Sequence, residues 1–160
     1  MVAPTVKFPA YIMVWGSMGY NGLGDLVVLP RNESVNANAY FSILNDYLES
    51  SFEKTDCTIL QQDGAPCHKA KLITSWLDFC GIDYIPDWPG NSPDLSPIEN
   101  IWGIVKQRLQ GQDTSTIPKL EAAVRAAWQS LDVELCNTLV DSVPERLKLM
   151  KKKKGGVTRF

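Results

Sequence analysis

Gln61-Gln62-Asp63-Gly64-Ala65-Pro66-Cys67-His68 and Trp88-Pro89-Gly90-Asn91-Ser92-Pro93-Asp94-Leu95-Ser96-Pro97-Ile98-Glu99-Asn100 are the two stretches that decide how this chain folds. Asp63 comes after a short apolar run, Cys57 to Leu60, which reads as a buried strand entering a turn. Glu99 falls in the first turn of a helix, after a loop dense in Pro, Gly, Asn and Ser. A strand-end Asp and a helix-start Glu can meet on one side of a sheet and hold a divalent cation through oxygen ligands. Each segment also has a plainer reading. Ser96-Pro97-Ile98-Glu99 is a capping box, with Ser as N-cap and Glu reaching back from the third helical position. Asp63-Gly64 alone is a turn. Taken alone, each segment favours its plainer reading.

Working outward, Tyr11 to Trp15 and Leu26 to Leu29 read as strands, and Asn21-Gly22 with Gly24 suits a hairpin between them. Asn36 or Asn38 caps a helix whose apolar face holds Tyr40, Phe41, Leu44, Leu48 and Phe52. Thr58 to Gln61 is the next strand. Leu72, Ile73, Trp76 and Leu77 mark a short helix closed by Gly81. Ile82 to Ile85 is a further strand. A helix from Pro97 presents Ile98, Ile101, Trp102, Val105 and Leu109; another carries Leu120, Val124, Ala127, Trp128 and Leu131; a last one carries Leu135, Leu139 and Val140. The order is strand, strand, helix, strand, helix, strand, then helices.

The chain has 160 residues, 44% of them hydrophobic, enough for one ordinary core. No apolar run reaches the eighteen or so residues that span a bilayer, so no membrane partner is expected. The N-terminus has no basic region followed by a long apolar stretch, hence no evident signal peptide. Cys57, Cys67, Cys80 and Cys136 lack Cys-x-x-Cys spacing and His68 is the single histidine, which argues against zinc. A net charge of −2 argues against a free-standing tight DNA binder, because phosphate neutralisation needs a basic face. The exception is Met150-Lys151-Lys152-Lys153-Lys154, a basic run suited to phosphate contact or nuclear import, and equally to a solvated tail.

The two acid-bearing stretches closely resemble the second and third acids of the DDE triad in Tc1/mariner-type DNA transposases. Pro4-Thr5-Val6-Lys7, Ile12-Met13-Val14-Trp15-Gly16 and Asn21-Gly22-Leu23-Gly24 are similar to the region after the first catalytic strand in Tc1-like members. Asp141-Ser142-Val143-Pro144-Glu145-Arg146 and Lys154-Gly155-Gly156-Val157-Thr158-Arg159-Phe160 are similar to the family's usual end. No segment resembles the first Asp or the upstream helix-turn-helix region. Thirty-five residues separate Asp63 from Glu99, one more than the commonest family spacing, an insertion that the loop before Trp88 can absorb.

The resemblance implies an α/β, RNase H-like mixed sheet flanked by helices and lacking its first strand. Residues 1–150 would be a truncated catalytic domain and 151–160 a basic C-terminal tail. It implies metal-dependent DNA cleavage and strand transfer, with Asp63 and Glu99 as catalytic, metal-holding residues for Mg²⁺ or Mn²⁺. Transposon-end and target DNA would be partners, with His68, Lys69, Lys71, Lys151, Lys152, Lys153 and Lys154 as contacts. Homodimerisation or pairing with intact transposase, and a nuclear location, are implied as well. With the first acid unmatched, efficient catalysis by this chain alone is not expected. A co-opted non-catalytic fragment that binds DNA or transposase, or a decayed transposon remnant, are the alternatives. Asp94 is expected to shape its turn, and Asp25 and Asp46 carry no surrounding motif.

Overall fold

The structure, a computed structural model, describes residues 10–31, 34–86, 88 and 93–157, with side chains to 153. An antiparallel hairpin opens it: β1 (Val14–Gly19) pairs with β2 (Gly22–Val28). Helix α1 (Ala37–Thr55) comes next, then β3 (Ile59–Leu60), the single turn α2 (Pro66–Lys69), α3 (Lys71–Phe79) and β4 (Asp83–Tyr84). A 3-10 turn at Pro93–Leu95 leads into α4 (Pro97–Leu109), α5 (Ile117–Gln129), α6 (Val133–Asp141) and α7 (Val143–Val157).

Local chemistry explains the boundaries. Asn36 starts α1 by accepting a hydrogen bond from the Ala39 amide at 2.9 Å. Gly81, with φ +66°, ends α3 as expected. The Ile82 amide donates to the Leu77 carbonyl and the Gly81 amide to Asp78, the paired bonds of a Schellman ending. Thr116 and Asp132 cap α5 and α6 in the same way as Asn36 caps α1.

The hairpin separates two apolar layers because strand side chains alternate. Val14, Met18, Leu23 and Leu26 face a core of Ile101, Val105, Val124, Ala127, Trp128 and Leu131 from α4, α5 and the residues just after α5. Trp15 faces the other core, formed by Tyr40, Leu44 and Leu48 of α1 with Ile73 and Leu77 of α3. Leu60 of β3 and Tyr84 of β4 pack on that second core too. Sheet residues therefore lie between helical layers, as expected.

The described residues contain two separate two-stranded sheets rather than one: β1 with β2, and the parallel pair β3 with β4. Each of β1 and β3 has a single strand partner among the described residues. In the RNase H-like arrangement a further strand lies between their counterparts, and the hydrogen-bonding break among the described residues falls at that place. Ile59, more than half exposed although it sits in a strand, is the visible cost.

Three expectations need correction. The hairpin strands are shifted toward a two-residue turn at Tyr20-Asn21: of Tyr11 to Trp15 only Val14 and Trp15 lie in β1, which runs on to Gly19, while β2 begins at Gly22 instead of Leu26 and ends at Val28 instead of Leu29. The strands at 58–61 and 82–85 shrink to two residues each. The single last helix is two, α6 and α7. Helix α7 itself runs on through residue 151 to Val157. Pro144 suits the first turn of that helix, Leu, Met and Lys are good helix formers, and lysines near its C-terminal end complement the dipole.

Candidate active site

Asp63 lies three residues beyond β3, at the mouth of the turn into α2. Its Oδ1 accepts from the Ala65 amide at 3.0 Å, a local bond that fixes the turn. The carboxylate remains largely exposed, with 61% of its side-chain surface in solvent. His68, on α2, brings Nδ1 to 2.5 Å from the same oxygen. That approach is out of line for a hydrogen bond, since Nδ1 has no hydrogen-bond partner; it is a charge contact when the imidazole is protonated.

The His68 ring also packs on Tyr40 of α1, with centroids 4.2 Å apart. The Tyr40 hydroxyl donates to Gln62 Oε1 at 2.5 Å, and Gln62 Nε2 donates to the His68 carbonyl at 3.2 Å. Tyr40 and Gln62 thus tie the Asp63 loop to the middle of the second core. The apolar spacing of α1 placed Tyr40 in the core but gave no sign of its polar tip. Burial first, then the Cys67 thiolate that forms in alkali and the carboxylate of Asp63, pushes the Tyr40 phenol well above its ordinary value. Burial, then Asp63, also raises the Cys67 thiol, although bonds to backbone amides oppose the rise. Cys67 is therefore a neutral thiol at neutral pH.

The Tyr40 shift predicts a pH effect. A phenol with a raised folded-state value stabilises the fold fully below the unfolded value of 10.0 and loses that contribution as pH rises through the folded value. The stability advantage of wild type over Tyr40→Phe is expected to be about 1–2 kcal/mol at pH 7, from the bond to Gln62. It should narrow steadily above about pH 10, as read from urea unfolding of both proteins. A gap that widens with alkali would contradict the buried, protonated phenol.

Glu99 occupies the third position of α4, exposed to solvent. The capping box does not form. Ser96 sits at the N-cap position without a side-chain cap bond, and its carbonyl, not its hydroxyl, accepts from the Glu99 amide at 3.1 Å. Ser96 is 7% exposed, packed beside the fully buried Leu95. Among the described residues no hydrogen bond or ion pair engages the Glu99 carboxylate.

The remaining candidates divide clearly. Asp94 is exposed in the 3-10 turn, consistent with a turn-shaping role. Asp25 lies apart, accepting from the Ser51 hydroxyl at 3.1 Å and pairing with Lys54. Burial alone would raise its carboxyl, but bonds from Lys54, Ser50 and Ser51 outweigh it and lower the value. Asp46 is exposed on α1. Of the proposed DNA contacts, His68 is turned inward toward Tyr40, whereas Lys69, Lys71, Lys151, Lys152 and Lys153 are exposed. Lys154 continues α7, its side chain lying outside those described. Among the described residues no group of three or more His, Cys, Asp or Glu side chains is placed to hold a metal.

Strand pairs between helical layers, with one acid just past a strand and another at a helix start, agree with the RNase H-like fold expected from the sequence. The sequence model of the DDE superfamily endonucleases matches residues 13–121, a span that includes Asp63 and Glu99. The chain belongs to that family. It is 29% identical to the Tcb1 transposase of Caenorhabditis briggsae, over 98% of this chain and 58% of that protein. It is 30% identical to the Tc3 transposase of Caenorhabditis elegans, over 85% of this chain and 42% of that one. The chain thus spans roughly half the length of these relatives. The catalytic domain of the Mos1 mariner transposase shares the fold with a TM-score of 0.76 at 20% identity, covering 89% of this chain and 74% of that one. A Mos1 paired-end complex with Mn gives 0.79 at 21%, covering 92% and 45%.

Proposed function

We propose that this chain is the part of a Tc1-like transposase catalytic domain that carries the second and third acids, Asp63 and Glu99. The chemistry it serves is metal-dependent DNA cleavage and strand transfer at transposon ends. The supporting observation is the pairing of two exposed carboxylates, one beyond β3 and one opening α4, within a single family match. As donors they suit a hard cation: Glu99 is unengaged among the described residues, and Asp63 keeps most of its surface in solvent. Bound Mg²⁺ or Mn²⁺ would activate the attacking oxygen and steady the leaving one. Two carboxylates make only part of such a site.

The expected result for purified chain with plasmid DNA and Mn²⁺ is therefore no nicking above background. Robust nicking, abolished in both Asp63→Ala and Glu99→Ala, would overturn the view that these two acids are insufficient alone. Binding without chemistry is the second reading. It draws on the lack of a three-donor group among the described residues and on the exposed Lys148, Lys151, Lys152 and Lys153 of α7. Nuclear location and pairing with itself or with intact transposase belong to both readings.

A further inference from the structure

We infer that Arg146 of α7 is a positioning residue for Glu99. The inference deepens the proposed function and rests on it for the meaning of Glu99, but not for the contacts. Arg146 lies 25 residues beyond the end of the family match at residue 121. Its Nη1 donates to the Asp94 carbonyl at 3.0 Å and to Asn100 Oδ1 at 2.7 Å. The first acceptor lies in the 3-10 turn before α4; the second is the residue after Glu99. One guanidinium nitrogen therefore spans the joint from which Glu99 projects.

The guanidinium is itself held. Its Nε donates to Ser142 Oγ at 2.8 Å, and that hydroxyl donates to the Leu139 carbonyl at 2.6 Å. The chain of bonds runs from the end of α6, through α7, to the start of α4. Arginine suits this task because its planar fork fixes several donors at once, which a lysine ammonium does not.

The joint needs such a tie. Ser96 gives α4 no side-chain cap, so the usual lock between loop and first turn is absent. Leu95, fully buried, pins the turn from beneath. Leu95 fixes depth, and Arg146 fixes the angle between turn and helix. Without Arg146 the first turn of α4 frays and the Glu99 carboxylate samples a wider volume.

The test uses the full chain as wild type, Arg146→Ala, Arg146→Lys and Asn100→Ala. Amide exchange at Ile101 and Trp102, whose helical bonds reach back to Pro97 and Ile98, should quicken roughly tenfold in Arg146→Ala. Asn100→Ala should give a smaller increase, Arg146→Lys should rescue only part, and α5 amides should not change. Mn²⁺-induced broadening of the Glu99 carboxyl signal should weaken in Arg146→Ala while that of Asp63 persists. Unchanged exchange in α4 with either Arg146→Ala or Asn100→Ala would overturn the inference. If wild type shows no broadening at either acid, the metal reading fails instead, and the exchange data still decide the role of Arg146. If Arg146→Ala does not fold, Asn100→Ala carries the decision.

Discussion

Gly16→Val should destabilise the fold by about 3 kcal/mol, near the top of the range for overpacking, although valine is the better strand former. A side-chain carbon at Gly16 would meet Trp128 Cη2 at 2.6 Å and Trp102 Cη2 at 2.8 Å, both well inside contact distance. The two indoles stack with centroids 5.1 Å apart, and Trp128 is 5% exposed in the core that joins α4 and α5 to the hairpin. A retreat by Trp128 would displace that core. Strand propensity offers valine less than about 1 kcal/mol, so overpacking wins. Against a total of roughly 5–15 kcal/mol, the loss should show as a large fall in the urea midpoint. A variant as stable as wild type would mean that the indoles do not close over β1. Trp102→Leu combined with Gly16→Val should recover part of the loss, because Trp102 is the less buried ring.

This position also shows what the sequence could tell. Helical periodicity identified Trp102 and Trp128 as core-facing, and it was right for α1, α4 and α5, where one helix face meets one core; in α3, Ile73, Trp76 and Leu77 pack inward but Leu72 is 42% exposed. It could not say that the two rings meet across Gly16. Glycines in a hairpin read locally as turn formers, so from sequence the first strand ends early, at Trp15, and the second begins late, at Leu26. What keeps them going is a partner far along the chain that needs bare backbone. The short strands β3 and β4 suffered the opposite error. Thr58 to Gln61 and Ile82 to Ile85 have strand-like composition, but ladder length depends on neighbours that composition does not name.

The placement of the two acids was legible for a different reason. Asp63 and Glu99 stand in motifs whose turn chemistry is written in adjacent residues, so a strand end and a helix start could be placed from sequence. The supports of those acids were not legible. Tyr40 reaches Gln62 from α1, and Arg146 reaches Asn100 across 46 positions. Such bonds depend on how helices pack, and each residue has an adequate local explanation. The capping box shows the reverse. Its sequence pattern is complete, yet the buried packing of Leu95 and Ser96 leaves the Ser96 carbonyl, not its hydroxyl, to take the Glu99 amide.

Adding an extended, apolar peptide that carries one aspartate should change both stability and activity, the larger change being in activity. Among the described residues β1 and β3 each leave one edge of backbone N–H and C=O groups without a strand partner. Both strands rest on the same helical layer, Trp15 and Leu60 touching the core of α1 and α3. An added strand has bonds to gain at both edges, as in strand-addition complexes, and it would cover the exposed Ile59. At peptide concentrations about a hundredfold above the dissociation constant, linkage predicts roughly 2.7 kcal/mol of stabilisation, a clear rise in thermal midpoint. The aspartate would supply a third oxygen donor beside Asp63 and Glu99. Mn²⁺-dependent nicking should then rise at least roughly tenfold over background. It should be lost with an Asp→Asn peptide, with Asp63→Asn and with Glu99→Gln, while the thermal shift is retained in all three. Stabilisation without nicking would support a binding role for the chain. Failure to stabilise at all would mean that β1 and β3 do not form one receptive site, and the two sheets would have to be regarded as independent.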